Sequence, residues 1–410
     1  MVRMVRGDET QHMTPHESSV LPFKRHARAA SRNSSNAKPG GTGIVMMNMG
    51  GPATLDEVEP FLLRLFADRE LLRLPWQDVL GKFIAKRRAP KVQALYDAIG
   101  GGSPILKWTR EQGAGMCARL DELSPQTAPH KFYVAFRYVA PFADDAVREM
   151  KADGITRAIA FTQYPQWSCT TTGSSLNDLW RSLQRTGLED AFEWSIVDRW
   201  GEHEGFIRSV AAAVREGLEQ YPEHERDDVL LVYSAHSLPL SVIDRGDAYP
   251  AEVAATVSRV TEALDLTNPH LLCYQSEVGP VRWLGASTER VIRDMAQQGR
   301  KNMLVVPIAF TSDHIETLSE IDIEYGHLAQ SLGMTGFKRA PSLNARPDFL
   351  DSLADIVKAH LQGEQPYSKQ YRHRCAGCTN SACRGTPSRV ADYAQTQQPA
   401  ELSVESLLGS

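Results

Sequence analysis

The sequence predicts an α/β fold: two similar, doubly wound Rossmann-like domains, each a four-stranded parallel sheet flanked by helices, followed by a cysteine-bearing C-terminal extension. Three observations carry this. Eight short apolar runs recur along the chain, helical patterns fall between them, and the runs come as four and then four more at similar spacing. Strand–helix alternation implies parallel pairing through right-handed crossovers. The halves do not match residue for residue, so the repeat is one of architecture.

Residues 1–40 precede the first strand. The stretch "PFKRHARAASRNSSNAKPGG" holds Arg, Lys and Ser, no acid and no apolar periodicity, so disorder is expected. The same composition fits a mitochondrial transit peptide, with Asp8, Glu9 and Glu17 counting against it. The first domain, 41–205, offers strands at GIVMMNMG (43–50), KFYVAFRYV (131–139), RAIAFTQY (157–164) and FEWSIVDRW (192–200). The second, 206–362, offers DVLLVYSAH (228–236), HLLCYQS (270–276), NMLVVPIAF (302–310) and GFKRAPSL (336–343). Such near-continuous apolar runs suit strands buried on both faces. Between them, FADDAVREMKADG (142–154), SLNDLWRSLQRTG (175–187) and ASTERVIRDMAQQG (286–299) have the spacing of amphipathic helices. Residues 363–410 form the extension.

The chain has 410 residues, 42% hydrophobic and 23% charged, enough for sizeable cores. A net charge of −5 gives no pull toward nucleic acid. No run of about 18 apolar residues suggests a membrane span. Six cysteines in a chain this long make no disulfide framework, and three crowd near the C-terminus, which points to metal ligation in a reducing compartment.

In open parallel sheets ligands bind at the carboxyl ends of the strands. His236 ends an apolar strand among Ser234, Ala235 and Ser237, small residues that leave room for a bulky ligand against an imidazole able to exchange protons near neutral pH. Arg137, Tyr138 and Tyr164 sit at comparable ends. After NMLVVPIAF, the residues Asp313, Glu316, Glu320 and Glu324 step by 3, 4 and 4, one acidic stripe on a helix. Such a stripe can relay protons or attract a hard cation, or it is simply a solvated face. His314 beside it is a cap residue or a ligand. "YDAIGGGSPILKW" (96–108) lacks both nucleotide-loop patterns, so its glycines allow close approach to a flat ligand or make a turn. "EPFLLRLFADRELLRLPW" (59–76), with Arg64, Arg69 and Arg73, fits an interfacial helix or one packed on its own core. "KRRAPK" (86–91) adds anion affinity nearby. Cys375, Cys378 and Cys383, spaced C-x2-C-x4-C, make most of a metal site. Either His373 completes it with zinc, or a remote cysteine, Cys169, completes an iron–sulfur cluster. Cys117 and Cys273 read as buried structural thiols.

The stretches "MNMGGPATLDEV", "FIAKRRAPKVQALYDAIGGGSPI", "FRYVAPF", "FTQYPQWSCTTTGSS", "YSAHSLP", "YQSEVGPVRWLG" and "PIAFTSDHIETLSEIDIEY" resemble the ferrochelatase family, whose members insert ferrous iron into protoporphyrin IX, the last step of haem biosynthesis. They extend over roughly residues 43–385 and look most like the mitochondrial eukaryotic branch, which favours the transit-peptide reading. The resemblance implies two similar domains with the active site in the cleft between them. It implies that His236 accepts pyrrole protons or binds iron, that Glu316 and Glu320 conduct protons or metal, and that His203 and Asp355 have catalytic roles. It implies a porphyrin pocket of Met49, Arg137, Tyr138, Tyr164 and Trp283, with Arg88, Tyr96 and Ser103 also binding the substrate. It implies a C-terminal iron–sulfur extension in which Cys169, Cys375, Cys378 and Cys383 hold a [2Fe–2S] cluster. An apolar lip near residues 61–74, peripheral attachment to the matrix side of the mitochondrial inner membrane, and a homodimer are implied as well. The rival readings are a porphyrin-binding module without catalysis and a chelatase for another tetrapyrrole.

Overall fold

The computed structural model describes residues 40–71, 73–279, 281–381 and 383, and each of the eight apolar runs forms a strand. The leader expected over 1–40 lies, apart from Gly40, outside the described residues, as does the tail from 384. Strands β1 (Thr42–Asn48), β2 (His130–Phe136), β3 (Arg157–Thr162) and β4 (Glu193–Val197) form one parallel sheet in the order β2-β1-β3-β4. Strands β5 (Leu230–His236), β6 (His270–Gln275), β7 (Asn302–Pro307) and β8 (Gly336–Arg339) form a second in the order β6-β5-β7-β8. The two sheets therefore share one topology. Strand β1 is buried along its whole length, as the unbroken run Ile44–Val45–Met46–Met47 anticipates.

The helices are α1 (Val58–Ala67), α2 (Gln77–Ala98), α3 (Ile105–Leu123), α4 (Ala143–Ala152), α5 (Ser174–Thr186), α6 (Glu204–Glu219), α7 (Leu240–Ile243), α8 (Tyr249–Leu264), α9 (Thr288–Gln297), α10 (Gly326–Ser331) and α11 (Pro347–Gln362). The sequence patterns at 142–154, 175–187 and 286–299 become α4, α5 and α9. One core serves both sheets. Ile44, Met46, Ile159 and Phe161 from the first meet Leu231, Tyr233, Leu304 and Val306 from the second, through Met116 of α3, Phe206 of α6 and Phe349 of α11. Each fully buried side chain of this size contributes about 1.5–3 kcal/mol. The outer face of the first sheet packs on α4 and α5, and that of the second on α9 and α10.

Strand β4 is an edge, and an exposed edge invites aggregation. Here the C-terminal segment covers it: the Ile196 amide donates to Pro366 O at 2.7 Å, and Ser368 bonds Asp198 through its amide and hydroxyl. In both sheets the connection reverses direction at the first strand. The crevices this creates lie at the exits of β1 and β3, and of β5 and β7. In both halves, too, the chain leaving the third strand enters a π-helix, Cys169–Gly173 before α5 and Glu316–Tyr325 before α10. Wide helical turns of this kind cluster at functional sites.

Candidate active site

The second sheet delivers His236 at the end of β5, half-buried. Its Nδ1 lies 2.5 Å from Ser237 O, so Nδ1 carries the proton and donates to that carbonyl. Nε2 is then the lone-pair nitrogen, a base by construction. The small neighbours have a structural role of their own. Ser234, Ala235 and Ser237 are fully buried; Ser234 Oγ bonds Gln275 Oε1 (2.7 Å) and Thr288 Oγ1 (2.8 Å), and Ser237 Oγ donates to Leu284 O (2.7 Å). Their hydrogen bonds pin the strand beneath the imidazole.

The acidic stripe differs from its sequence reading in two ways. The helix is π, not α, and Asp313 is not on it. Asp313 precedes the helix and is held by Arg339 (3.1 Å), Ser342 Oγ (2.7 Å) and Asn344 Nδ2 (2.8 Å). Burial works against its charge, but those donors keep the carboxyl below its ordinary range. With i→i+5 bonding, a π-turn holds between four and five residues, so Glu316, Glu320 and Glu324 still fall in one row. Glu316 pairs with His314 Nε2 at 3.1 Å. Glu320 accepts from Gln275 Nε2 (3.1 Å), the Ser276 amide (2.7 Å), Ser276 Oγ (2.5 Å) and Tyr325 OH (2.8 Å). Glu324 is exposed, and burial of its carboxyl together with the charge of Glu320 raises its pKa. The row thus runs from half-buried to solvent. Gln275 ties it to the histidine strand, since the same amide also donates to Glu316 O (3.2 Å) while its oxygen accepts from Ser234.

The first sheet builds the opposite kind of surface. Tyr164 OH accepts from the Met49 amide at 2.7 Å, joining the exits of β1 and β3. Arg137 bonds Asp68, Asp178 (3.0 Å) and Ser174 Oγ (3.1 Å), and Tyr138 OH donates to the same Asp68 at 2.7 Å. Burial opposes the Arg137 charge, but Tyr138 and the two carboxylates hold its pKa up. Tyr96 and Tyr164 are pushed well up, first by burial, with the Glu316 charge adding to both. Ile315, next to Glu316, packs against the cluster that holds Tyr96 and Tyr138, which brings the start of the acidic row to the first half. The loops at the strand exits also interlock: Gln163 donates to Gln112 (3.0 Å), and Gln112 donates to Thr311 O (3.3 Å) and Asn344 O (2.9 Å).

Other expected residues lie around this centre. Ser103 is buried against the Gly50–Pro52 turn, its amide donating to Pro52 O at 2.7 Å. Gly100 and Gly101 take positive φ, and a Cβ on Gly102 would strike Ala53 O, so this loop is glycine-rich for its own turn. Arg88 lies over the Phe66 ring at 5.9 Å. Trp283 Nε1 donates to Val278 O (3.0 Å) in the loop after β6. His203 caps α6, accepting from the Gly205 amide (3.2 Å); burial lowers its pKa and the nearby Asp355 of α11 opposes this. Among the described residues no hydrogen bond or ion pair joins these two to His236.

Of the stretch expected to form an apolar lip, one helix face packs on the protein's own core. Phe61, Leu62 and Phe66 of α1 are buried against Ala85, Ala89 and Tyr96 of α2. The most exposed apolar side chains among the described residues are Trp76 (85%), Val79 (73%) and Phe83 (61%), a stripe at steps of 3 and 4 opening α2, with Lys82, Lys86 and Arg87 exposed beside it. No helix among the described residues is long and apolar enough to cross a membrane.

Cys117 and Cys273 are buried thiols, raised by burial to about 12 and about 11. Cys378 N donates to Cys375 O (3.0 Å), and Cys169, its pKa raised by burial and by Asp247, also feels the charge of Cys375. Gly246 packs against Cys375 and Gly377 against Arg245, so the 375–378 turn docks beside the Cys169 π-helix. Among the described residues no group of three or more His, Cys, Asp or Glu side chains is gathered to hold a metal. His373 is exposed. Sequence reasoning missed Asp68, Asp178 and Gln275, because each acts through a partner distant in the chain and none stands in a recognisable pattern.

The family model for ferrochelatase matches residues 41–361. Mitochondrial ferrochelatase of Homo sapiens is 50% identical over 385 residues, 94% of this chain and 88% of that protein. The Bos taurus protein of the same name is 52% identical over 367 residues, 88% of each, and that of Schizosaccharomyces pombe 52% over 345 residues, 84% of this chain and 81% of its own.

Proposed function

The chain belongs to the ferrochelatase family, a mitochondrial chelatase that inserts ferrous iron into protoporphyrin to form haem, and from that premise we propose which residues perform the reaction. The observation that carries the assignment is the His236 tautomer: Nδ1–H locked onto Ser237 O leaves Nε2 as the base at the switch point of the second sheet. Porphyrin metallation must remove two pyrrole protons while Fe²⁺ meets the ring nitrogens. His236 Nε2 takes the protons. Glu316, Glu320 and exposed Glu324 lead them outward, and His314 shares the first of these carboxylates. Met49, Arg137, Tyr138, Tyr164 and Trp283 form the wall against which the ring lies, with Tyr96, Ser103 and Arg88 on its border. Burial keeps the wall tyrosines protonated, so they present shape and O–H groups, not charge. His203 and Asp355 would act through the packing of α6 on α11. The test is His236→Ala, which should abolish iron insertion while protoporphyrin still binds; turnover near the parent level would overturn the assignment.

Cys169, Cys375, Cys378 and Cys383 are proposed to hold a [2Fe–2S] cluster. The donor chemistry fits, four thiols with the 375–378 turn beside Gly246 and the Cys169 amide held by Asp247, and gathering all four would tighten the 375–383 loop. Such a cluster would supply a covalent staple and a one-electron centre. Protein purified anaerobically should show visible cluster absorption that Cys378→Ser removes; stoichiometric zinc without iron would overturn this. The Trp76–Val79–Phe83 stripe, rimmed by lysine and arginine, supports peripheral attachment to the matrix face of the inner membrane, where poorly soluble porphyrin and haem enter and leave. Phe83→Asp should weaken co-sedimentation with anionic vesicles, and unchanged binding would remove the stripe from that role. A homodimer is proposed with the same family assignment.

A further inference from the structure

The turn after α1 touches two things at once. On one side, Glu70 accepts from Asn380 Nδ2 (3.1 Å) and Arg73 donates to Thr379 Oγ1 (3.1 Å); both partners stand between Cys378 and Cys383. On the other side, the Glu70 amide donates to Asp68 Oδ1 (2.8 Å), and Asp68 Oδ2 holds both Arg137 and Tyr138 of the pocket wall. Glu70 is further clamped by Asn177 Nδ2 (3.2 Å) and Arg181 (3.0 and 3.4 Å) on α5, the helix that also supplies Asp178 to Arg137. The Glu70 and Asp68 side chains are only 16% and 10% exposed, so solvent screens these bonds little.

We propose that Glu70 is a positioning residue that couples the cysteine loop to the porphyrin wall. When the 375–383 loop tightens or opens, Asn380 and Thr379 move with it. Glu70 and Arg73 carry that displacement to the turn, and Asp68 hands it to Arg137 and Tyr138. A chain of hydrogen-bonded groups between rigid elements transmits coupling only if its members have two arrangements. The described loop grips the turn with its thiols not gathered, and binding a cluster would be the second arrangement. The effect falls on porphyrin binding and not on proton abstraction, because the chain ends on the wall and no bond of it reaches His236.

The inference rests on the cysteine-loop reading, and the experiment separates the two. Porphyrin affinity, read by fluorescence quenching, is measured for the full chain, Cys378→Ser, Glu70→Ala, Asn380→Ala and the pairs, alongside visible absorption and a thermal melt. Cys378→Ser and Asn380→Ala should each weaken porphyrin binding about five-fold, a typical coupling. Neither should weaken it further in the Glu70→Ala background, and in Asn380→Ala KM should move while kcat holds. Additive losses in the double variants, or an unchanged affinity in Asn380→Ala with an intact melt, would overturn the coupling. If the parent shows no cluster absorption, the cluster reading fails alone; Asn380→Ala still decides the coupling, because it cuts the same contact without involving a metal. Should Glu70→Ala not fold, Glu70→Gln keeps the shape and loses the charge, and the same cycle applies.

Discussion

The two sheets have one topology and opposite chemistry. At the exits of the first, the candidate residues are each taken by a neighbour: Arg137 by Asp68 and Asp178, Tyr138 by Asp68, Tyr164 by the Met49 amide. At the exits of the second, His236 keeps a lone pair and a row of carboxylates runs to solvent. The two π-helices repeat the contrast. The first, CTTTG, leads with Cys169, whose amide is held by Asp247 (2.8 Å); the second, ETLSEIDIEY, is acidic. The lesson is that a duplicated scaffold divides labour at its strand ends. On the proposed reading, the first half supplies most of the fixed surface for the ring, with Trp283 added from the second, and the second half supplies the groups that change protonation state.

That division can be broken from either side. His236→Ala in the reactive half should cost about two to four orders of magnitude in kcat, the usual worth of a general base, with little change in porphyrin affinity. Arg137→Ala in the fixed half strips Asp68 of its cation and leaves Asp178 only the longer contacts of Arg185 (3.7 Å) and Arg181 (4.0 Å), in a site only 10–16% exposed. It should destabilise the fold by about 3 kcal/mol, read by denaturant melts, and raise the porphyrin KM more than it lowers kcat. If Arg137→Ala instead suppressed kcat with KM intact, the wall would be part of the reactive machinery. Glu320→Gln is the finer probe. Its amide group would meet four donors now bonded to a carboxylate, so it should cost about 2 kcal/mol and slow turnover by loosening the loop at Ser276. Full stability with slowed turnover would leave Glu320 the proton-carrying role alone and remove the anchoring one.

Much of this was legible in advance. The eight strands were readable because parallel strands buried on both faces leave continuous apolar runs, and GIVMMNMG and NMLVVPIAF show it. The doubled architecture followed from their spacing. His236, Glu316 and the wall tyrosines were readable as residues at strand ends. The errors share a cause. Asp313 has the right charge at the right step, but Arg339, Ser342 and Asn344 reach it from β8 and the loop after it. Phe61 and Phe66 look like a lip because nothing in their own helix shows that α2 will cover them, while Trp76 and Phe83 of α2 stay bare.

By itself, then, the order of residues determined the class of fold, the strand ends and the chemical types gathered at them, since periodicity and composition are local properties of a chain. Only the tertiary structure decided which nitrogen of His236 holds its proton, that Asp68 and Asp178 silence Arg137, that the acidic row rides a π-helix, and that Glu70 stands between Asn380 and Asp68. Each of these depends on a hydrogen bond whose two ends are set by separate elements, or on a turn geometry that several elements enforce together. A linear pattern records the groups and not their distances.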